Sequence, residues 1–145
     1  MLVRQLLARR GCADCVSVSE KDAVSHAVYV MARHRFGAVV VTDATGELRG
    51  VLSEHDIVTG LTGMGPEILN ASVGEMTGTE ALCCAPDDQL EDVLTILAGR
   101  RLEYVPIVHD GCVVGVLDLG DVILARIEET SVECQVLLDL ARLRH

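Results

Sequence analysis

Tryptophan is absent from this 145-residue chain, and its only aromatic residues are Tyr29, Phe36 and Tyr104. Three rings make no stacking platform for single-stranded nucleic acid. Lysine is nearly as scarce: Lys21 stands alone, and 12 basic residues face 22 acidic ones, for a formal net charge of −10. The chain therefore lacks the cationic excess that binds phosphate backbones, which excludes nucleic acid as its main partner. No apolar run reaches the roughly 18 residues needed to cross a bilayer, so no membrane association is expected. The opening stretch MLVRQLLARRG is too short and too Arg-rich for a secretory signal. These two absences predict a cytoplasmic protein. Half of a zinc or redox site is missing as well. Cys12 and Cys15 have C-x-x-C spacing, but no second C-x-x-C and no H-x₃₋₅-H accompanies them. The six cysteines (Cys12, Cys15, Cys83, Cys84, Cys112 and Cys134) are read as reduced thiols behaving as small hydrophobes, and no metal site is predicted. No nucleophile–base pair and no phosphate-binding glycine loop is present, so the chain is not read as an enzyme.

What the sequence does contain is a duplication. Gly50-Val-Leu-Ser-Glu-His-Asp56 returns as Gly115-Val-Leu-Asp-Leu-Gly-Asp121. The likeness extends upstream, with 16–41 aligning on 83–108. The two offsets differ by the length of a hairpin loop, Asp43 to Glu47 in the first copy against Asp110-Gly111 in the second. Each copy opens with a short apolar segment (Val16 and Val18, or Leu82 and Cys84) and a polar helix start. Ser19 with Asp22 is read as a capping box. An amphipathic helix follows, with Ala23, Val24, Ala27, Val28 and Met31 on one stripe in the first copy and Leu90, Val93, Leu94 and Leu97 in the second. Then come a β-branched strand, an Asp/Gly turn, a strand ending in Gly-Val-Leu, and a second helix. The fold expected is α+β, with two β-α-β-β-α units over 1–66 and 67–128. A C-terminal helix is expected over 129–145, packing either on its own unit or on a partner subunit.

This pattern resembles the CBS domain, and the tandem pair resembles a Bateman module. The likeness rests on the two Gly-Val-Leu motifs, on Tyr104-Val-Pro-Ile-Val108, on the lead-in Val73-Gly-Glu-Met76, and on Phe36-Gly-Ala-Val-Val-Val41 ahead of Ser53. It covers almost the whole chain. It implies two units related by a pseudo-twofold axis, and pairs of such modules associating as a disc-shaped homodimer. CBS units also occur inside inosine monophosphate dehydrogenase, but a catalytic barrel needs about 250 residues that are not in this sequence.

The repeated motif has a chemistry of its own. Ser53 opens a helix whose first N–H groups and dipole favour an anion such as a phosphate. Asp56, one turn in, can accept hydrogen bonds from a ribose diol. Ala38, Val39 and Val51 can enclose a flat base. The same Ser-x-x-Asp spacing is also a capping box that needs no ligand. The resemblance implies that the Ser/Thr and Asp of this motif contact phosphate and ribose of an adenosine ligand, with adenine against the strand and lead-in of each copy. The residues so implied are Val16, Gly37, Ala38, Val39, Val51, Ser53, His55 and Asp56, and then Cys83, Tyr104, Val105, Pro106, Asp118 and Asp121. The expected ligand is AMP, ADP or ATP ahead of NADH or S-adenosylmethionine, with no required cofactor and an unidentified protein target.

The two copies are not equal. His55 stands where similar proteins carry Arg, and His34 and Arg35 lie just ahead of the strand. Copy two has Asp118 where Ser or Thr is expected, and a carboxylate repels phosphate. Arg100 and Arg101 either offset that charge or cap an exposed helix end. The contrasting function is a ligand-free structural or interaction module, which Asp118 favours.

Overall fold

The structure, a computed structural model, describes residues 1–10, 16–77 and 82–143; the C-x-x-C pair at Cys12 and Cys15 lies outside the described residues. The chain opens with α1 (Val3–Arg10). The first unit holds β1 (Ser17–Ser19), α2 (Val24–His34), β2 (Ala38–Thr42), β3 (Leu48–Ser53) and α3 (Glu54–Met64). A 3₁₀ turn (Gly65–Asn70) and α4 (Val73–Met76) lead to the second unit, which holds α5 (Leu90–Arg100), β4 (Tyr104–His109), β5 (Cys112–Asp118) and α6 (Leu119–Leu143). The architecture is the duplicated α+β arrangement expected.

Each unit is built on one antiparallel hairpin, with Val39 opposite Leu52 in the first and Val105 opposite Leu117 in the second. The second hairpin turns on Asp110 and Gly111, whose φ of 50° and 78° suit the tight primed turns. The first turns on a longer loop knit by Asp43. Its carboxylate accepts from Thr45 Oγ1 (2.7 Å), Thr45 N–H (2.8 Å) and Glu47 N–H (3.0 Å). The Thr45 hydroxyl is the main reason that this carboxyl titrates below its ordinary range. β1 pairs with β2 in parallel, while the segment expected to match it in the second copy makes only a single bridge, Cys84 to Ile107. The stripes read from periodicity face inward: Val24, Ala27 and Met31 of α2 are buried, as are Leu90, Val93 and Leu97 of α5.

The first correction concerns helix starts. Ser19 N–H does donate to Asp22 Oδ2 (3.0 Å), but in a turn ahead of the helix: α2 begins at Val24, and its N-cap, Ala23, has no side-chain cap. The helix end is instead completed by a distant segment. Val24 N–H donates to Ala71 O (2.9 Å), and Val73 N–H donates back to Asp22 O (2.7 Å). The second unit repeats the device with the chain's first residues, Leu90 N–H to Met1 O (3.0 Å) and Val3 N–H to Asp88 O (2.9 Å). The lead-ins are thus exchanged. Val3 and Leu6 are buried in the core with Leu90, Leu97, Ile107 and Leu117, while Val73 is buried with Val24, Val41 and Leu52.

The second correction concerns the tail. Nothing between residues 121 and 143 is Gly or Pro, so the last helix of the second unit continues without a break into the expected C-terminal helix, giving one helix of 25 residues. It does not fold back on its own unit: Val132, Val136, Leu137, Leu140 and Leu143 are 51–83% exposed.

Candidate functional site: a cleft made by both copies

β3 hands over to α3 at Ser53. Ser53 Oγ accepts Asp56 N–H (3.3 Å), and Asp56 Oδ2 accepts from Ser53 N–H (2.9 Å) and Ser53 Oγ (3.0 Å). The motif is a closed capping box. That box uses one carboxylate oxygen. Oδ1 of Asp56 takes no part in the box, and the side chain still lines a cleft of ≈220 Å³. Capping and an open carboxylate face coexist in the same residue.

The cleft crosses the repeat. Gly50, Val51, Ser53, His55 and Asp56 come from the first copy, and Leu82, Arg101, Leu102, Glu103, Tyr104 and Pro106 come from the second. Six residues singled out from sequence therefore meet there: Val51, Ser53, His55, Asp56, Tyr104 and Pro106. The others do not line it. Ala38, Val39 and Val105 are each 2% exposed, because both faces of these short strands are covered; they are core rather than walls for a base. Val16 accepts Val40 N–H through its carbonyl (2.9 Å). Cys83 lines a separate groove beside α5 with Asp88 and Ile96.

The second motif is laid out differently. Asp118 Oδ1 accepts Gly120 N–H (2.6 Å), and Asp121 lies in a groove with Leu6 and Arg9 of α1. Neither carboxylate of the second motif lines the cleft that Asp56 lines, although Asp118 sits opposite Tyr104 in the second hairpin.

Arg101 was missed for this cleft. It is the C-cap of α5 at φ 55°, a left-handed conformation that side chains rarely adopt, where the chain swings from helix to strand. His34 and Arg35 do not reach the cleft, and its guanidinium comes from the other copy. No sequence signal marks this, since it depends on how the units pair. Arg101 brings one positive charge to a cleft that Asp56 and Glu103 also line, beside the start of α3. Tyr104 spans the seam. Its ring meets Phe36 edge-on at 5.6 Å, and its hydroxyl rests against Gly37, where any Cβ would overlap it. Burial, and then the charges of Asp118, Glu103 and Glu54, raise its phenol above the ordinary tyrosine range.

Among the described residues no group of three His, Cys, Asp or Glu side chains could hold a metal ion, and no helix is long and apolar enough to cross a membrane. Cys84 lies in the second core, and burial, helped by Asp88, pushes its thiol up to about 12. A raised value keeps the thiol protonated, so only a trace of reactive thiolate exists at pH 8. Iodoacetamide at pH 8 is expected to label the exposed Cys83 and Cys112 in the native protein and to spare Cys84, as read by peptide mass spectrometry. Labelling of Cys84 at the rate of Cys112 would contradict its burial.

Two duplicated units, each a hairpin flanked by helices, that trade lead-in segments and share a cleft at their seam define a tandem-repeat α+β module. The chain belongs to the CBS-domain family: the family's model matches residues 3–63 and again 73–128. It is 30% identical to the CBS domain-containing protein YhcV of Bacillus subtilis, over 79% of this chain and 81% of that one. The solved CBS-domain containing protein ATU1752 of Agrobacterium tumefaciens superposes with a TM-score of 0.79 at 33% identity, covering 86% of this chain and 92% of the other. The CBS domain pair of protein MJ0100, solved in complex with 5-methylthioadenosine and S-adenosyl-L-methionine, has a TM-score of 0.74 at 18% identity, over 90% of this chain and 98% of that one.

Proposed function

We propose that this chain is a non-catalytic regulatory module of the cytoplasm. In this reading it binds an adenosine nucleotide, AMP, ADP or ATP, in the Ser53–Asp56 cleft and passes occupancy through a homodimer to a protein target. The observation that carries the reading is the convergence of Asp56, Ser53 and Arg101, from two copies of the repeat, on one cleft. Oδ1 of Asp56 suits a ribose diol. The start of α3, His55 and Arg101 suit a phosphate. Val51, Leu82, Tyr104 and Pro106 offer apolar surface to a base. A cleft of ≈220 Å³ is small beside the roughly 300–1,000 Å³ of ligand sites, which favours a mononucleotide over the larger NADH. The complexes of MJ0100 support adenosine as the common element, while Arg101 and His55 favour an anion over a sulfonium. The competing reading is a ligand-free interaction module. It draws support from the capping box, which is complete without a ligand.

Calorimetry with AMP, ADP, ATP, NADH and S-adenosylmethionine separates the two, with Arg101→Gly as the diagnostic variant. Glycine relieves the left-handed backbone, so stability is expected to hold or to rise by up to about 1 kcal/mol. Affinity for the nucleotide is expected to drop by about tenfold or more, the worth of one charge-assisted hydrogen bond. The absence of saturable heat with every adenosine compound would leave the interaction reading standing.

A further inference from the structure

The last helix continues past the body of its own unit. Val122 and Ala125 on its inner side are buried, whereas every described residue from Thr130 to Leu143 is exposed. At 25 residues α6 is about 37 Å long, and a helical end with no tertiary cover is marginal in water. One stripe of α6 holds Leu124, Ile127, Ser131, Cys134, Leu138 and Ala141, spaced alternately three and four residues apart, the seam spacing of paired helices. Leu124, Ile127 and Leu138 are 59%, 56% and 54% exposed. The stripe starts where α6 is still held by the second core and runs outward without interruption.

The geometry points to a second copy of this chain as the occupant, its α6 lying antiparallel along that stripe. This deepens the homodimer of the proposed function and rests on it. In an antiparallel pair the stripe closes on itself in one register that uses all six positions. Leu124 meets the partner's Ala141, Ile127 meets the partner's Leu138, and Ser131 meets the partner's Cys134. Large faces small at the ends, and small faces small at the centre, where the backbones come closest. Charge favours the same direction. Glu128, Glu129 and Glu133 precede Arg142 along the helix. A parallel pair in register would stack each glutamate on its own copy. The antiparallel pair carries Arg142 opposite the partner's Ile123, within two residues of the partner's Asp121, and sets the two helix dipoles in opposition.

Disulfide trapping of the full chain tests the arrangement with Leu124→Cys, Ala141→Cys and the double variant, each treated with mild oxidant beside the wild type, which carries the same native thiols. Residues 124 and 141 are about 25 Å apart along one helix, too far to join within a chain. The double variant is expected to convert almost wholly to covalent dimer, and each single variant to form no more than the wild type. Ile127→Asp is expected to weaken self-association about 100-fold by sedimentation. Trapping by either single variant would mean a parallel pair, and a dimer by light scattering with no gain in the double variant would mean another face; either result overturns the pairing, as does a monomer at high micromolar concentration. Calorimetry with AMP on Ile127→Asp keeps the two readings apart. If the double cysteine variant fails to trap while Ile127→Asp binds AMP as the wild type does, the pairing falls and the nucleotide reading stands.

Discussion

Replacing Asp56 with alanine is expected to reduce AMP affinity at least about 100-fold and to lower stability by about 1–2 kcal/mol, because one carboxylate serves two roles. Oδ2 closes the capping box on Ser53, while the residue also lines the cleft and leaves Oδ1 outside the box. Alanine removes both. Asparagine separates them. Its amide oxygen can still accept Ser53 N–H, so the fold is expected to lose less than about 1 kcal/mol, chiefly the charge's favourable position at the start of α3. A neutral amide is a poorer clamp for two hydroxyl donors, so AMP affinity should still fall by about tenfold or more. Calorimetry for affinity and thermal melts for stability read the two effects on the same samples. If Asp56→Asn bound AMP as tightly as the wild type, the carboxylate would serve the helix alone, and the cleft would lose its main reason to be called a site.

Much of this fold was legible in the sequence because its signals are local. β-branched strands, helical stripes and the Asp110-Gly111 turn each declare themselves within about a dozen residues, and the Gly-Val-Leu motifs mark where strand gives way to helix. Ser53 and Asp56 could be paired on the same ground, being one turn apart. What stayed hidden is long-range. Nothing in Val73 or Val3 says which core will take it, since both lead-ins are merely apolar. Arg101 lies in a sequence that reads as an exposed helix end, and only the pairing of units brings it to the cleft of the other copy. Ala38 and Val39 were misplaced for a related reason: a short apolar run cannot say whether one face or both are covered, and here both are. The capping box drawn at Ser19 shows the limit of local reading. The contact is real, but the helix begins only at Val24, where a carbonyl from residue 71 completes it.

The exchange of lead-ins makes a mirrored pair of substitutions the sharpest test of the fold. Val3 and Val73 are both fully buried, and each donates its N–H to the turn ahead of a helix, Val3 to Asp88 O and Val73 to Asp22 O. Aspartate at either site removes roughly 1.5–3 kcal/mol of side-chain burial and sets a carboxylate among apolar neighbours, for a total of about 4 kcal/mol or more. That is a large part of the stability of a small domain. The damage should appear in opposite halves of the chain. Val3→Asp is expected to strip hydrogen-exchange protection from Leu90, Val93 and Leu97 of α5 while Val24, Ala27 and Met31 of α2 keep theirs, although residue 3 is nearer in sequence to α2. Val73→Asp should do the reverse, exposing α2, whose first N–H would lose its hold on Ala71, and leaving α5 guarded. Should Val3→Asp instead open α2 first, the chain's opening segment would belong to the unit that follows it. The cores would then be self-contained, and the seam that carries Arg101 and Tyr104 to Asp56 would no longer be secured by the exchange.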